Sequence, residues 1–172
     1  RGQRRAGPSD FGIVPPEVAL PLGPAGTTHV RVLPAGEYAC YPPEARDEFW
    51  RQAWQIAPQS DRYGFRLFGR PLLPLAPLEM RSHGIVPGVV QVPPSGQPII
   101  QMVDAQPSGG YPKFGTVIRA DLWRLAQAPL GSRLTFQRVD YDQAVQALDA
   151  NIAWLARLAR QMAAQRRAGA AA

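Results

Sequence analysis

The sequence predicts a mainly β domain of α+β class, in which short strands close into a barrel-like sheet and helices lie at its periphery. Three observations carry that prediction. Apolar residues recur at period two in short stretches separated by Gly- and Pro-rich punctuation, with 16 Gly and 19 Pro in 172 residues. Helical signals are few and do not alternate with the strands, which argues against a doubly wound parallel sheet. The single sustained helical stripe comes at the end of the chain, from Val145 to Met162.

The elements follow in order. Residues 1–28 are punctuated by Gly2, Gly7, Pro8, Gly12, Pro15, Pro16, Pro21, Gly23, Pro24 and Gly26. Proline there removes backbone donors and breaks helices, so the segment reads as a linker or extended arm. His29–Leu33 alternates as a strand and opens a domain expected to run from 29 to 139. After Pro42-Pro43, Glu44–Ile56 reads as a helix. Glu44, Asp47 and Glu48 suit its positive end, and Phe49, Trp50, Ala53, Trp54 and Ile56 supply an apolar face. Core packing accounts for the two Trp better than stacking on a ligand does.

Gly64–Phe68 alternates as a half-buried strand, and 70–80 is irregular. Val89–Val92, the turn Pro93–Gly96 and Pro98–Val103 give the clearest hairpin. Asp104–Pro112 is a Gly-rich loop, Phe114–Arg119 a strand, Asp121–Gln127 a short helix and Arg133–Val139 a strand. Asp140 and Gln143 have the spacing of a capping box. The helix they open is expected to reach Arg167, about 40 Å at ~1.5 Å per residue. That exceeds what a small β domain covers, so its end is expected to fray or to meet a partner, with a basic, disordered tail to 172.

Charge excludes more than it suggests. The net charge is +6, but residues 1–10 carry +2 and residues 157–172 carry +4, so the segment between is neutral. A nucleic-acid binder spreads its basic residues over the face that meets phosphate, so no nucleic-acid partner is expected. No apolar run approaches a membrane span, and Arg1–Arg5 precede no apolar stretch, so neither a membrane partner nor a signal peptide is expected. One cysteine, Cys40, and two histidines offer no disulfide framework and no metal site. Cys40 reads as structural, and the compartment as a reducing cytoplasm.

No phosphate-binding, nucleophile-elbow or metalloprotease motif is present. The chemistry-bearing residues gather instead in Ser82–Gln91, Gly96–Pro98 and Asp104–Lys113. Gly109 and Gly110 allow backbone amides to approach an anion, and Lys113, the only Lys of the chain, adds charge. Gln91, Gln97 and Gln106 offer donors and acceptors suited to an amide or ureido group. Simpler roles fit the same residues. Gly-Gly-Tyr-Pro makes a tight turn without a ligand, Lys113 could be a solvated charge, His83 a turn residue, and Asp104 an acceptor of loop amides.

Ser82-His-Gly-Ile-Val-Pro-Gly-Val-Val-Gln-Val-Pro-Pro-Ser-Gly-Gln-Pro98, Asp104-Ala-Gln106, Gly109-Gly-Tyr-Pro112 and Ala120-Asp-Leu-Trp-Arg-Leu-Ala-Gln127 resemble the family of the 5-oxoprolinase C-subunit. That family is also known as allophanate hydrolase subunit 2, biotin-dependent carboxyltransferase or Kip antagonist. Val32–Glu37 and Gln59–Gly64 match it in kind and order, and the resemblance runs from about His29 to about Ala147. It covers only the C-terminal part of a longer family pattern. Pro107-Ser108 stands where the family commonly has Thr-Thr or Thr-Gly-Gly.

The resemblance implies a cyclophilin-like β-barrel with a long C-terminal helix. It also implies work beside a Kip-inhibitor-like subunit and a further 5-oxoprolinase subunit, in a complex that uses ATP to cleave 5-oxoproline to glutamate. The chain itself is expected to bind no cofactor, with ATP held elsewhere. A second branch of the family moves a carboxyl group from biotin to urea, and a third reading is a purely regulatory partner. On the 5-oxoprolinase reading, Lys113, Asp104 and Gln106 are the expected catalytic residues. Ser82, His83, Gln91, Gln97, Gly109, Gly110 and Tyr111 are the expected contacts of a small amide substrate.

Overall fold

The computed structural model describes residues 27–170, with side chains to Arg167, so the expected arm at 1–28 lies almost wholly outside the described residues. Seven strands close into a barrel: β1 (Thr27–Pro34), β8 (Lys113–Val117), β5 (Val89–Gln91), β6 (Ile99–Gln101), β3 (Gly64–Phe68), β2 (Trp54–Ile56) and β9 (Arg133–Arg138), in that spatial order. Among the described strands only β1 and β9 run parallel, and they close the ring. Two short strands, β4 (His83–Gly84) and β7 (Ser108–Gly109), form a separate ribbon. The expected mainly β barrel with peripheral helices and a long C-terminal helix is the architecture the chain adopts.

Alternation decides which residues fill the barrel. Val30 and Val32 of β1, Phe65 and Leu67 of β3, Val90 of β5, Ile100 of β6 and Leu134 and Phe136 of β9 point inward and are buried. Phe49 of α1 (Pro43–Arg51) enters the same core, stacked on Phe136 with ring centroids 4.5 Å apart. Leu125 of α2 (Leu122–Ala126) adds to it. The interior is therefore packed with side chains.

The expected helix at 44–56 is shorter than its apolar residues suggest. It ends at Arg51, Gln52 turns extended, and Trp54–Ile56 is a strand. Trp54 and Ile56 are fully buried while Gln55 between them is exposed, a period of two that the helical reading missed. Trp54 also settles the helix end, because its indole Nε1 donates to the Phe49 carbonyl at 3.1 Å, one of the acceptors a helix terminus leaves free. Trp50 donates to the Tyr38 hydroxyl at 2.9 Å, so both tryptophans serve packing.

The hairpin forms where expected, with Val90 opposite Ile100 and Gly96 at φ +74° in its turn. The loop at 104–112 is not wholly irregular, since Ser108–Gly109 pairs with His83–Gly84. Two-residue strands carry too little alternation to be read from sequence. Arg31 and Asp121 make a buried pair that ties β1 to the turn before α2. Asp121 accepts from the Arg31 backbone N–H at 2.8 Å, from Nε at 2.8 Å and from Nη2 at 2.6 Å.

Helix α3 (Tyr141–Ala170) opens on the expected capping box. Gln143 N–H donates to Asp140 Oδ1 at 2.8 Å, and Asp140 N–H to Gln143 Oε1 at 3.0 Å. Ala144 and Ala147 pack on Ile118, Ala120 and Val139. Packing divides the chain after Leu148. The later part of α3 is regular helix, with Ile152, Leu155 and Met162 exposed. No helix among the described residues is long and apolar enough to cross a membrane.

Candidate functional site

Because the barrel is filled, space for a ligand lies on its outer wall. The outward residues of three neighbouring strands, Gly64 and Arg66 of β3, Ile99 and Gln101 of β6, and Gln91 of β5, form one side of a cavity of about 500 Å³. The loop that carries β7 supplies the other, through Gln106, Ser108, Gly109, Gly110 and Tyr111. Gln59, Asp61 and Tyr63 line it from the turn before β3. Asp61 is held by that turn, accepting the N–H groups of Tyr63 at 2.8 Å and Gly64 at 3.2 Å.

A bulge aims the key residues. The β5–β8 register slips between Val90 and Gln91, so that Val90 faces Gly115 and Gln91 faces Lys113. Bulges of this kind redirect side chains beside functional sites. Gln91 lies under the ribbon and is 4% exposed. Its Oε1 accepts from Gln101 Nε2 at 2.9 Å, and its Nε2 is enclosed without a partner. The two residues are diagonal neighbours across β5 and β6, since Gln91 faces Ile99 and Gln101 lies two positions on.

A side chain at Gly109 would have to displace Gln91. A Cβ there would lie 2.5 Å from Gln91 Nε2, well inside contact distance. Its carbonyl accepts from Lys113 Nζ at 3.0 Å, which pins β7 against the barrel. Lys113 is 6% exposed, and burial lowers its pKa from the ordinary value while the Glu37 carboxylate pulls it part of the way back. Glu37 also accepts the Lys113 backbone N–H at 2.9 Å. His83 completes the cluster, with Nδ1 3.3 Å from Lys113 Nζ and 3.1 Å from the Arg81 carbonyl. A protonated Nδ1 donates to Arg81, and an unprotonated one accepts from Lys113.

The residues singled out by sequence fall into three places. Gln91, Gln106, Gly109, Gly110 and Tyr111 come together on the cavity wall. Lys113 and His83 stand behind that wall and hold β7, and Ser82 lies against Gly110. Asp104 and Gln97 are elsewhere. Asp104 pairs with Arg62 at the surface, Oδ2 to Nε at 3.0 Å. Gln97 clamps the backbone of Gly69, accepting its N–H at 3.1 Å and donating to its carbonyl at 3.0 Å. Sequence reasoning assigned no role to Gln101, Glu37, Gln59 or Asp61. Gln101 was legible only as part of a strand; its outward place follows from the inward Ile100 beside it. Among the described residues no group of three or more His, Cys, Asp or Glu is placed to hold a metal ion.

The model of the carboxyltransferase domain, subdomain A and B, matches residues 3–138. The 5-oxoprolinase C-subunit of Escherichia coli (strain K12) is 46% identical over 118 residues, covering 69% of this chain and 38% of that protein. That of Haemophilus influenzae is 43% identical over 152 residues, covering 88% of this chain and 47% of that protein. The chain thus spans less than half the length of either relative. The crystal structure of the K. lactis urea amidolyase superposes with a TM-score of 0.67 at 21% identity, over 74% of this chain and 8% of that one, and shares the fold. On the extent of that match, the chain belongs to the carboxyltransferase domain, subdomain A and B, family.

Proposed function

We propose that the chain is the amide-binding part of a 5-oxoprolinase-type subunit, acting with a Kip-inhibitor-like subunit and a further subunit to cleave 5-oxoproline to glutamate at the expense of ATP. The observation that carries this reading is the cavity itself. Carboxamides line it from both sides, Gln59, Gln91 and Gln101 from the barrel strands and the turn before β3, and Gln106 from the loop that carries the pinned Gly-rich strand, in a chain 43–46% identical to two 5-oxoprolinase C-subunits. Carboxamides read neutral amides well, because each offers both a donor and an acceptor.

On this reading the Gly109–Gly110 segment receives the substrate carboxylate, and Lys113 supplies positive potential from behind it while fixing its position. Gln106 orients the scissile amide. Asp104 positions the loop before Gln106 through Arg62, and Gln97 keeps the hairpin in place through Gly69. ATP acts on another subunit.

Carboxyl transfer to urea is the second reading, favoured by the likeness of the fold to urea amidolyase. Biotin would supply the carboxyl group there, and its ureido edge suits the same carboxamides, chiefly Gln91 and Gln106.

The test is ATP-dependent glutamate release from 5-oxoproline by the assembled complex, with and without this chain and with Lys113→Ala. Release should require the chain, and Lys113→Ala should lower kcat/KM by at least about tenfold. Turnover without the chain refutes the reading. An Ala variant within about twofold of the parent refutes the role of Lys113 alone. Turnover of urea in place of 5-oxoproline moves the assignment to carboxyl transfer.

A further inference from the structure

Gln91 and Gln101 spend one hydrogen bond on each other and leave two groups over. Gln101 Nε2 donates to Gln91 Oε1, so Gln91 keeps an NH2 with no partner and Gln101 keeps a carbonyl oxygen with none among the described residues. Turning both amides by half a turn exchanges the roles and changes nothing in the sum, since one NH2 and one C=O still remain. The unspent NH2 of Gln91 is enclosed, and an enclosed donor without an acceptor is costly. Both side chains line the cavity.

A site that offers an unspent NH2 and an unspent C=O on neighbouring side chains has a chemical complement. That complement is an edge bearing C=O and N–H on the same side, the cis-amide edge of a small lactam or ureido ring. A carboxylate offers acceptors only, and a lactone lacks the N–H. We infer that Gln91 and Gln101 act together as the reader of a cis-amide edge, and that Gln101 is a specificity-determining residue. The diagonal register of β5 and β6 brings the two together, and Gly109, which has no side chain, leaves room for the Gln91 amide beside β7. The inference rests on the reading of the cavity as a small-amide site.

The experiment titrates the 172-residue chain with 5-oxoproline, its N-methyl derivative and the corresponding lactone acid, observed through glutamine side-chain NH2 resonances. Gln91→Leu and Gln101→Leu assign those signals, and backbone spectra report whether each variant is folded. The lactam should move the Gln91 and Gln101 signals and bind at least about tenfold more tightly than either analogue. Gln101→Leu should bring lactam and lactone within about twofold of each other. Lactam binding that shifts other cavity residues, leaves these two still and fails to discriminate the lactone overturns the pair while the small-amide site stands. Absence of lactam binding to the unmodified chain overturns both. Should a variant fail to fold, the ligand series on the unmodified chain decides alone.

Discussion

Substituting Gly109 by Ala probes the cavity wall where its tolerances are smallest. The backbone at 109 is not in the left-handed region, so Ala is allowed there, and the new methyl meets the Gln91 carboxamide instead. Its Cβ would lie 2.5 Å from Nε2, 3.2 Å from Oε1 and 3.3 Å from Cδ. Ordinary contact between such atoms begins near ~3.5 Å, so one side must retreat by about 1 Å. If Gln91 retreats, it leaves the 2.9 Å bond from Gln101 and becomes a buried amide with neither end paired. If β7 retreats, the Gly109 carbonyl leaves Lys113 Nζ at 3.0 Å, a charge-assisted bond. Either route costs about 1–3 kcal/mol. The lower chain entropy of Ala in the unfolded state returns about 0.4–1 kcal/mol, leaving a net loss of about 0–2.6 kcal/mol.

Truncating Gln91 to Ala removes the obstacle. Gly109→Ala should then cost nothing or stabilise slightly. The double-mutant cycle should show a coupling on the order of 1–3 kcal/mol, far outside additivity. Urea unfolding of the four proteins measures it. Single-variant losses that add within about 0.5 kcal/mol would mean that the amide and strand β7 do not share this contact, and the argument for a rigid wall would fail.

Two further perturbations test the frame that holds the site. Asp121→Asn keeps the shape of the side chain but strips the charge facing Arg31, whose three donors converge on it. Leaving that guanidinium buried and uncompensated should cost about 3–5 kcal/mol in denaturant unfolding, and a loss under about 1 kcal/mol would show the pair to be dispensable. Tyr41 carries a buried hydroxyl with no partner among the described residues. Burial chiefly, then Cys40 and Glu37, pushes its phenol well above the ordinary 10.0. Above pH 10 the unfolded chain releases this proton before the folded chain does, so stability falls as pH rises. Tyr41→Phe should remove that alkaline loss and raise stability by about 1 kcal/mol at neutral pH, and an unchanged alkaline slope would refute the assignment.

How much of this was readable from the chain depends on how many residues carry each signal. Strands β3 and β9 alternate over five and six residues, and their places were correct because period two repeats often enough to be seen. The capping box at Asp140 and Gln143 is a local hydrogen-bond pattern, complete within four residues, and it forms as read. Trp54 and Ile56 failed the same test. They follow a helix with no proline or glycine between, and three residues cannot distinguish period two from period 3.6. Pairing of Trp54 with Leu134, eighty positions away, and of Ile56 with Leu67 makes them a strand.

The site divides along the same line. Residues that share one loop, from Gln106 to Tyr111, were legible because composition marked the loop and the loop lines the cavity. Gln97 looked alike in sequence, with its amide in a turn beside a glycine. Yet it bonds Gly69 with both ends, away from the cavity. Gln101 looked like strand filler and is the partner that decides what Gln91 can offer. What separates the two is register. An amide's function depends on which of its two ends is already spent, and that is set by the residue across the sheet. Gln91 shows this most directly. One end is bonded to Gln101 on β6, the other lies beneath Gly109 of β7 with no partner among the described residues, and the bulge opposite β8 sets the residue on the cavity wall.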